Sequence, residues 1–151
     1  MSTPKRLRSF ADLPRQERGL ALRALWTLAL VRVGLRLLSF RRLRARIERA
    51  GGACGSVDEP FARAVRRAVD RAARSIPGSA CLAQALAAEV LLRRGGREVR
   101  TSIGVARDGR LLAAHAWVES AGVLVTGDAA DLGEYKRLLV FGEPSVAASA
   151  P

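Results

Sequence analysis

The chain has 151 residues, 49% of them hydrophobic, with 26 Lys plus Arg against 14 Asp plus Glu, two cysteines, one histidine and six prolines. That apolar fraction is enough to offset the ordering entropy of one compact domain, so intrinsic disorder is excluded. Two cysteines with no expected secretory signal exclude a disulfide framework and point to a reducing cytoplasm. The net charge of +12 is uneven: residues 1–74 carry 18 basic and 6 acidic side chains, residues 75–151 carry 8 of each. Such asymmetry suits an acidic partner or, equally, a set of solvated helix faces.

The expected organisation is an N-terminal helical region over 1–50, a core over 51–144 and a small-residue tail over 145–151, together one domain. Met1 to Arg8 reads as a basic tail. Asp12, Leu13 and Pro14 read as a helix start, with Asp as cap and Pro in the first turn. From Arg15 to about Leu38 helix formers dominate. Within this stretch Arg23, Arg32 and Arg36 would each cost about 2.5–3.5 kcal/mol in a bilayer core, so it reads as a soluble helix rather than a membrane span. Its apolar residues occupy two broad flanks, which predicts packing on both.

Ser39 caps a second helix, Phe40 to Ala50, closed by Gly51 and Gly52. After a loop containing Cys54, Ser56 to Glu59 has a capping-box pattern ahead of Pro60. A third helix then runs to about Ser75, with apolar residues at helical spacing, and Pro77 and Gly78 break it. A fourth helix spans about Ser79 to Arg93 or Arg94. Beyond Gly95 and Gly96 the period drops to two. Val99 to Arg107 reads as a strand, Asp108 and Gly109 as a turn, Leu111 to Ser120 as a second strand, and Val123 to about Asp128 as a third. Helices first and an antiparallel sheet after make an α+β fold.

Three residues point to chemistry. Cys81 falls in the first turn of the fourth helix, where unpaired backbone N–H groups and the positive end of the helix dipole favour the thiolate, the nucleophilic form. His115 stands mid-strand in Ala113 to Glu119, sharing one strand face with Trp117 and Glu119. A two-residue turn at Ala121 and Gly122 would pair Ser120 with Val123 and, counted onward, place Asp128 directly across from His115, close enough to orient its imidazole. A register shift would break that match, and Asp131 is then the alternative. Each residue also has an ordinary structural explanation: a small buried thiol, a core histidine, a strand end.

The segments Ser79-Ala80-Cys81-Leu82-Ala83-Gln84-Ala85-Leu86, Leu91-Leu92-Arg93-Arg94-Gly95, Ile103-Gly104-Val105 and Ala114-His115-Ala116-Trp117-Val118-Glu119 together resemble the transglutaminase-like leader peptidases of lasso-peptide biosynthesis, over roughly Leu13 to Leu139. The resemblance implies a papain-like or transglutaminase-like cysteine protease that removes the leader from a ribosomally made precursor, in its stand-alone form without a leader-recognition domain. It implies Cys81 as nucleophile, His115 as general base and Asp128 as third member. It also implies a precursor peptide, a separate leader-recognition protein and a lasso cyclase as partners, and no cofactor. The Cys81 backbone N–H, and less directly Gln84, are candidate oxyanion donors, and Trp117 a candidate shield for the His–Asp contact. Arg63, Arg66 and Arg67 offer a surface for an acidic leader or its recognition protein.

Two other classes compete. A transglutaminase or acyltransferase would use the same residues and pass the acyl group to an amine. A non-catalytic nucleic-acid-binding protein would suit the basic charge, but seven aromatic residues and no zinc-ligand cluster argue against it. One histidine and two distant cysteines do not suggest a metal site, and no Lys-bearing phosphate loop is present. Cys54, in a loop, lacks a helix dipole to activate it.

Overall fold

The computed structural model describes residues 13–51, 56–129 and 132–142. The basic N-terminal tail, the Asp12 cap, Cys54, Asp131 and the tail from Ser145 lie outside the described residues. Helices α1 (Arg15–Leu37), α2 (Phe40–Ala50), α3 (Glu59–Ser75) and α4 (Cys81–Arg94) precede strands β1 (Arg100–Asp108), β2 (Leu111–Ser120), β3 (Val123–Thr126) and β4 (Lys136–Phe141). The strands form one antiparallel sheet in the order β3-β2-β1-β4. This is the expected α+β arrangement, with one strand more than the sequence reading contained. The Leu138 to Phe141 run of β4 is apolar and of strand length, a usable signal.

Caps define the helix starts. Ser39 accepts from the Arg42 backbone N–H at 3.4 Å, as expected for α2. At α3 the cap is Asp58, which accepts from the Phe61 N–H at 2.9 Å, with Pro60 in the first turn. Ser56 lies too far ahead to serve. It bridges instead to Arg97: its hydroxyl donates to the Gly96 carbonyl at 3.0 Å and accepts from Arg97 Nη1 at 2.7 Å.

Helix α1 packs on one flank and not two. Ala21, Ala24, Thr27, Leu28 and Val31 are buried, whereas the opposite flank is open, with Trp26 69% and Leu30 63% exposed. The core on the buried side is centred on α4. Its alanines at 83, 85, 87 and 88 are buried and small enough to let the surrounding helices and the sheet approach closely.

One buried ion pair sits inside this layer. Glu89 of α4 is fully buried and accepts from Arg44 of α2, from Arg93 Nε at 2.7 Å and from Thr101 Oγ1 of β1 at 2.7 Å. Arg44 is buried too and lies 4.1 Å over the Phe141 ring of β4. A buried carboxylate is tolerated only when its lone pairs are filled by donors. Here the donors come from α2, α4 and β1, so the cluster ties both helices to the sheet.

Both hairpins are tight. The first turns at Gly109–Arg110, one residue later than expected, because Asp108 still pairs with Leu111 and Gly109 takes φ +58°. The second turns at Ala121–Gly122 as expected, with φ +51° and +73°, the paired positive values of a type I′ turn.

Candidate active site

Cys81 is the first residue of α4, half-buried against the core. Ala80 at the N-cap carries no side-chain acceptor, so no cap occupies the first-turn N–H groups. Gln84, one turn on, is half-buried and engaged. Its amide donates to the Ser79 carbonyl at 2.9 Å, which ties it to the loop that delivers Cys81. Ser79 Oγ in turn reaches the Ala73 carbonyl at 3.5 Å.

His115 stands in the middle of β2, half-buried. Ala116 and Val118 of that strand join the helical core, so His115, Trp117 and Glu119 alternate onto the sheet face away from α4. On this face His115 forms an aromatic group. Its ring stacks on Trp117 at 6.1 Å and 19° and meets Tyr135 at 5.3 Å. Tyr135 follows the 3-10 turn Leu132–Glu134 and also tilts against Trp117 at 6.4 Å. Arg137 of β4 completes the group: its guanidinium lies 5.6 Å over the Trp117 ring and reaches Glu119 at 3.3 Å. Trp117 therefore covers one side of the imidazole, and Tyr135 is a second aromatic neighbour of it.

Two glycines make room for this arrangement. Gly104 of β1 pairs with His115, and a Cβ there would stand 3.0 Å from the Trp117 ring and from the Lys136 carbonyl. Gly127, at φ +101°, brings its Cα so close that a Cβ would stand 2.9 Å from Trp117 Cβ and 3.3 Å from His115 Nε2.

Gly127 reaches His115 because the β2–β3 ladder slips. Ser120 pairs with Val123 and Glu119 with Leu124, as the turn dictates, but Val118 pairs with Thr126, one residue out of step. The slip is a β-bulge, and the Val118 N–H is taken by the Thr126 hydroxyl at 3.1 Å. The ladder ends there, so Asp128 is not the direct cross-strand partner of His115. It follows Gly127 on the exposed side of the turn.

The structure thus brings His115, Trp117, Gly127 and Tyr135 together, with Asp128 next in the chain. It does not bring Cys81 into hydrogen-bond contact with His115: no such bond joins them among the described residues. The three arginines read as an acidic-partner surface are each engaged within the chain. Arg63 pairs with Glu59 at 2.6 Å, Arg66 donates to the Leu124 carbonyl at 2.9 Å, and Arg67 pairs with Glu17 at 3.5 Å. The described residues contain no group of three or more potential metal-ligating side chains and no helix long and apolar enough to cross a membrane.

Helices leading into a small antiparallel sheet, with a cysteine opening the central helix and a histidine on the second strand, define an α+β protein built on a transglutaminase-like plan. The family model of the transglutaminase-like superfamily matches residues 24–140, and the chain belongs to that superfamily. Its members are typically cysteine-dependent enzymes and include proteases and acyltransferases. No curated protein and no solved structure matches the chain.

Proposed function

We propose that the protein is a cysteine peptidase that removes the leader from a ribosomally made lasso-peptide precursor, with Cys81 as nucleophile, His115 as general base and Asp128 as its orienting carboxylate. The observation that carries this reading is Cys81 at the first position of α4, behind an uncapped helix start, in a chain of the transglutaminase-like superfamily. The finer assignment, to lasso-peptide leaders, is supported by the likeness of the Ser79–Leu86 and Ala114–Glu119 segments to that branch.

The chemistry is acyl transfer. The Cys81 thiolate adds to the scissile carbonyl, with the helix-start N–H groups facing the developing oxyanion. The C–N bond breaks as the His115 imidazolium gives its proton to the leaving amine. Water, deprotonated by His115, then hydrolyses the thioester, releasing the carboxylate and restoring the thiol. This sequence requires the imidazole, which stands on the sheet face away from α4, to come round to Cys81 at that helix's start, a rearrangement that binding of the precursor has to bring about. A separate leader-recognition protein and the ring-closing cyclase would be the partners, and the precursor the substrate.

Intact-mass analysis under a limiting thiol-alkylating reagent at pH 6 tests the nucleophile. The wild type should acquire one label rapidly, Cys81→Ala should lose that label, and His115→Ala should slow it. Labelling confined to Cys54, or a Cys81 rate indifferent to His115→Ala both with and without a precursor peptide, would overturn the assignment. With a precursor, fragments whose summed mass exceeds that of the precursor by one water identify hydrolysis, and an amine adduct identifies acyl transfer.

A further inference from the structure

The open flank of α1 is patterned. Leu22, Trp26, Leu30, Val33 and Leu37 are all substantially exposed, from 48% at Leu22 to 76% at Leu37. Their spacing of four, four, three and four residues places all five within one narrow stripe of the helix surface. From Leu22 to Leu37 the stripe rises about 22 Å at about 1.5 Å per residue. Few monomeric surfaces leave such a contiguous run of large apolar side chains without a purpose.

The stripe is not flat. Along its N-terminal half it forms one wall of a groove of about 480 Å³ whose other wall is Phe61, Leu91 and Gly95. Gly95 shapes that wall, because a Cβ there would stand 2.8 Å from the Phe61 ring. Among the described residues two arginines, Arg23 and Arg94, line the groove and no carboxylate does. Neither makes an ion pair among the described residues. On the far side of the stripe Arg36 is exposed as well.

We infer that this face binds an amphipathic helix of an acidic partner protein, seated with its apolar seam on Leu22, Trp26, Leu30 and Val33 and its carboxylates against Arg23 and Arg94. A helix fits where an extended peptide does not, because α1 offers no free backbone edge and the apolar residues follow helical spacing. The concave wall disfavours a bilayer, which is planar on this scale. A second copy is disfavoured by charge: antiparallel self-pairing that matches Leu22 with Leu37 and Trp26 with Val33 also sets Arg23 against Arg36, and the only acid of α1, Glu17, already pairs with Arg67.

Two 21-residue helical peptides with the same leucine seam test this, one flanked by Glu and the other by Lys. Trp26 emission, isolated by subtracting the spectrum of the Trp26→Phe variant, reports on the stripe. The Glu peptide should bind saturably, at least tenfold tighter than the Lys peptide, and shift Trp26 emission to the blue. Leu30→Ser with Val33→Ser, both exposed positions, should weaken it at least tenfold with the far-UV circular dichroism unchanged, and Arg23→Glu with Arg94→Glu should reverse the preference.

Equal binding of the two peptides, or none, overturns the inference. So does a blue shift with phosphatidylglycerol vesicles alone, which would mean a membrane surface. A concentration-dependent shift with dimers in sedimentation would mean self-association. Trp26 emission already blue in the free protein would mean that the chain itself covers the stripe.

Discussion

The two faces of the sheet solve opposite problems. On the inner face, alanines of α4 let helices and strands close up, and the buried Glu89 carboxylate is filled by donors from three elements. On the outer face, glycines at 104 and 127 hold space open and aromatic rings lean around His115. There Trp117 Nε1 and the facing Ser102 Oγ are buried with no hydrogen-bond partner among the described residues. The inner face is built to hold, and the outer face shapes the surroundings of a titratable ring; each keeps some buried polar capacity, Arg44 Nη2 on the inner side as well as Trp117 Nε1 and Ser102 Oγ on the outer.

The largest expected effect breaks the inner face. Glu89→Ala leaves the buried Arg44 with only the half-exposed Glu48, 3.0 Å from its Nε, as countercharge, and should cost about 3–5 kcal/mol, read as a lower urea midpoint. Replacing Glu89 and Arg44 together by leucine should recover most of that loss, because no buried charge then remains uncompensated.

Gly127→Ala strikes the outer face. Its backbone conformation and the 2.9 Å approach to Trp117 Cβ both oppose a side chain, so about 1–3 kcal/mol of stability should go. The ring resonances of His115 should move with it, which Glu89→Ala should not cause directly. A smaller step is Tyr135→Ala, expected to cost about 0.5–1.5 kcal/mol and to shift the His115 resonances, while Tyr135→Phe leaves both nearly unchanged. If Tyr135→Ala left the histidine spectrum untouched, the aromatic group would not be positioning it. The smallest effect is a gain. Ala121 holds φ +51° in the β2–β3 turn, so Ala121→Gly should relieve strain and raise stability by about 0.5–1 kcal/mol, seen as a higher Tm.

Much of the fold was legible because local signals agreed with one another. Ser39, Gly95 and the Ala121–Gly122 pair mark boundaries through short-range chemistry, and the change from a period near 3.6 to a period of two marks where helices give way to strands. The reading failed where a competing residue or a distant one decided. Asp58 displaced Ser56 as a cap by standing one residue before the helix. Tyr135 reached His115 through β4, whose pairing with β1 joins residues more than thirty positions apart in the chain.

The sequence by itself determined the element order, the cysteine at a helix start and the histidine on the second strand, because each depends on neighbours within a few residues. Tertiary structure decided the rest. It slipped the β2–β3 register by one at Val118, because the Thr126 hydroxyl could take the N–H that the bulge releases. It buried Glu89, because donors from other elements converge there. It left half of α1 bare, because α3 and α4 pack on only one of its two apolar flanks, and no periodicity within a single helix specifies which flank its neighbours will take.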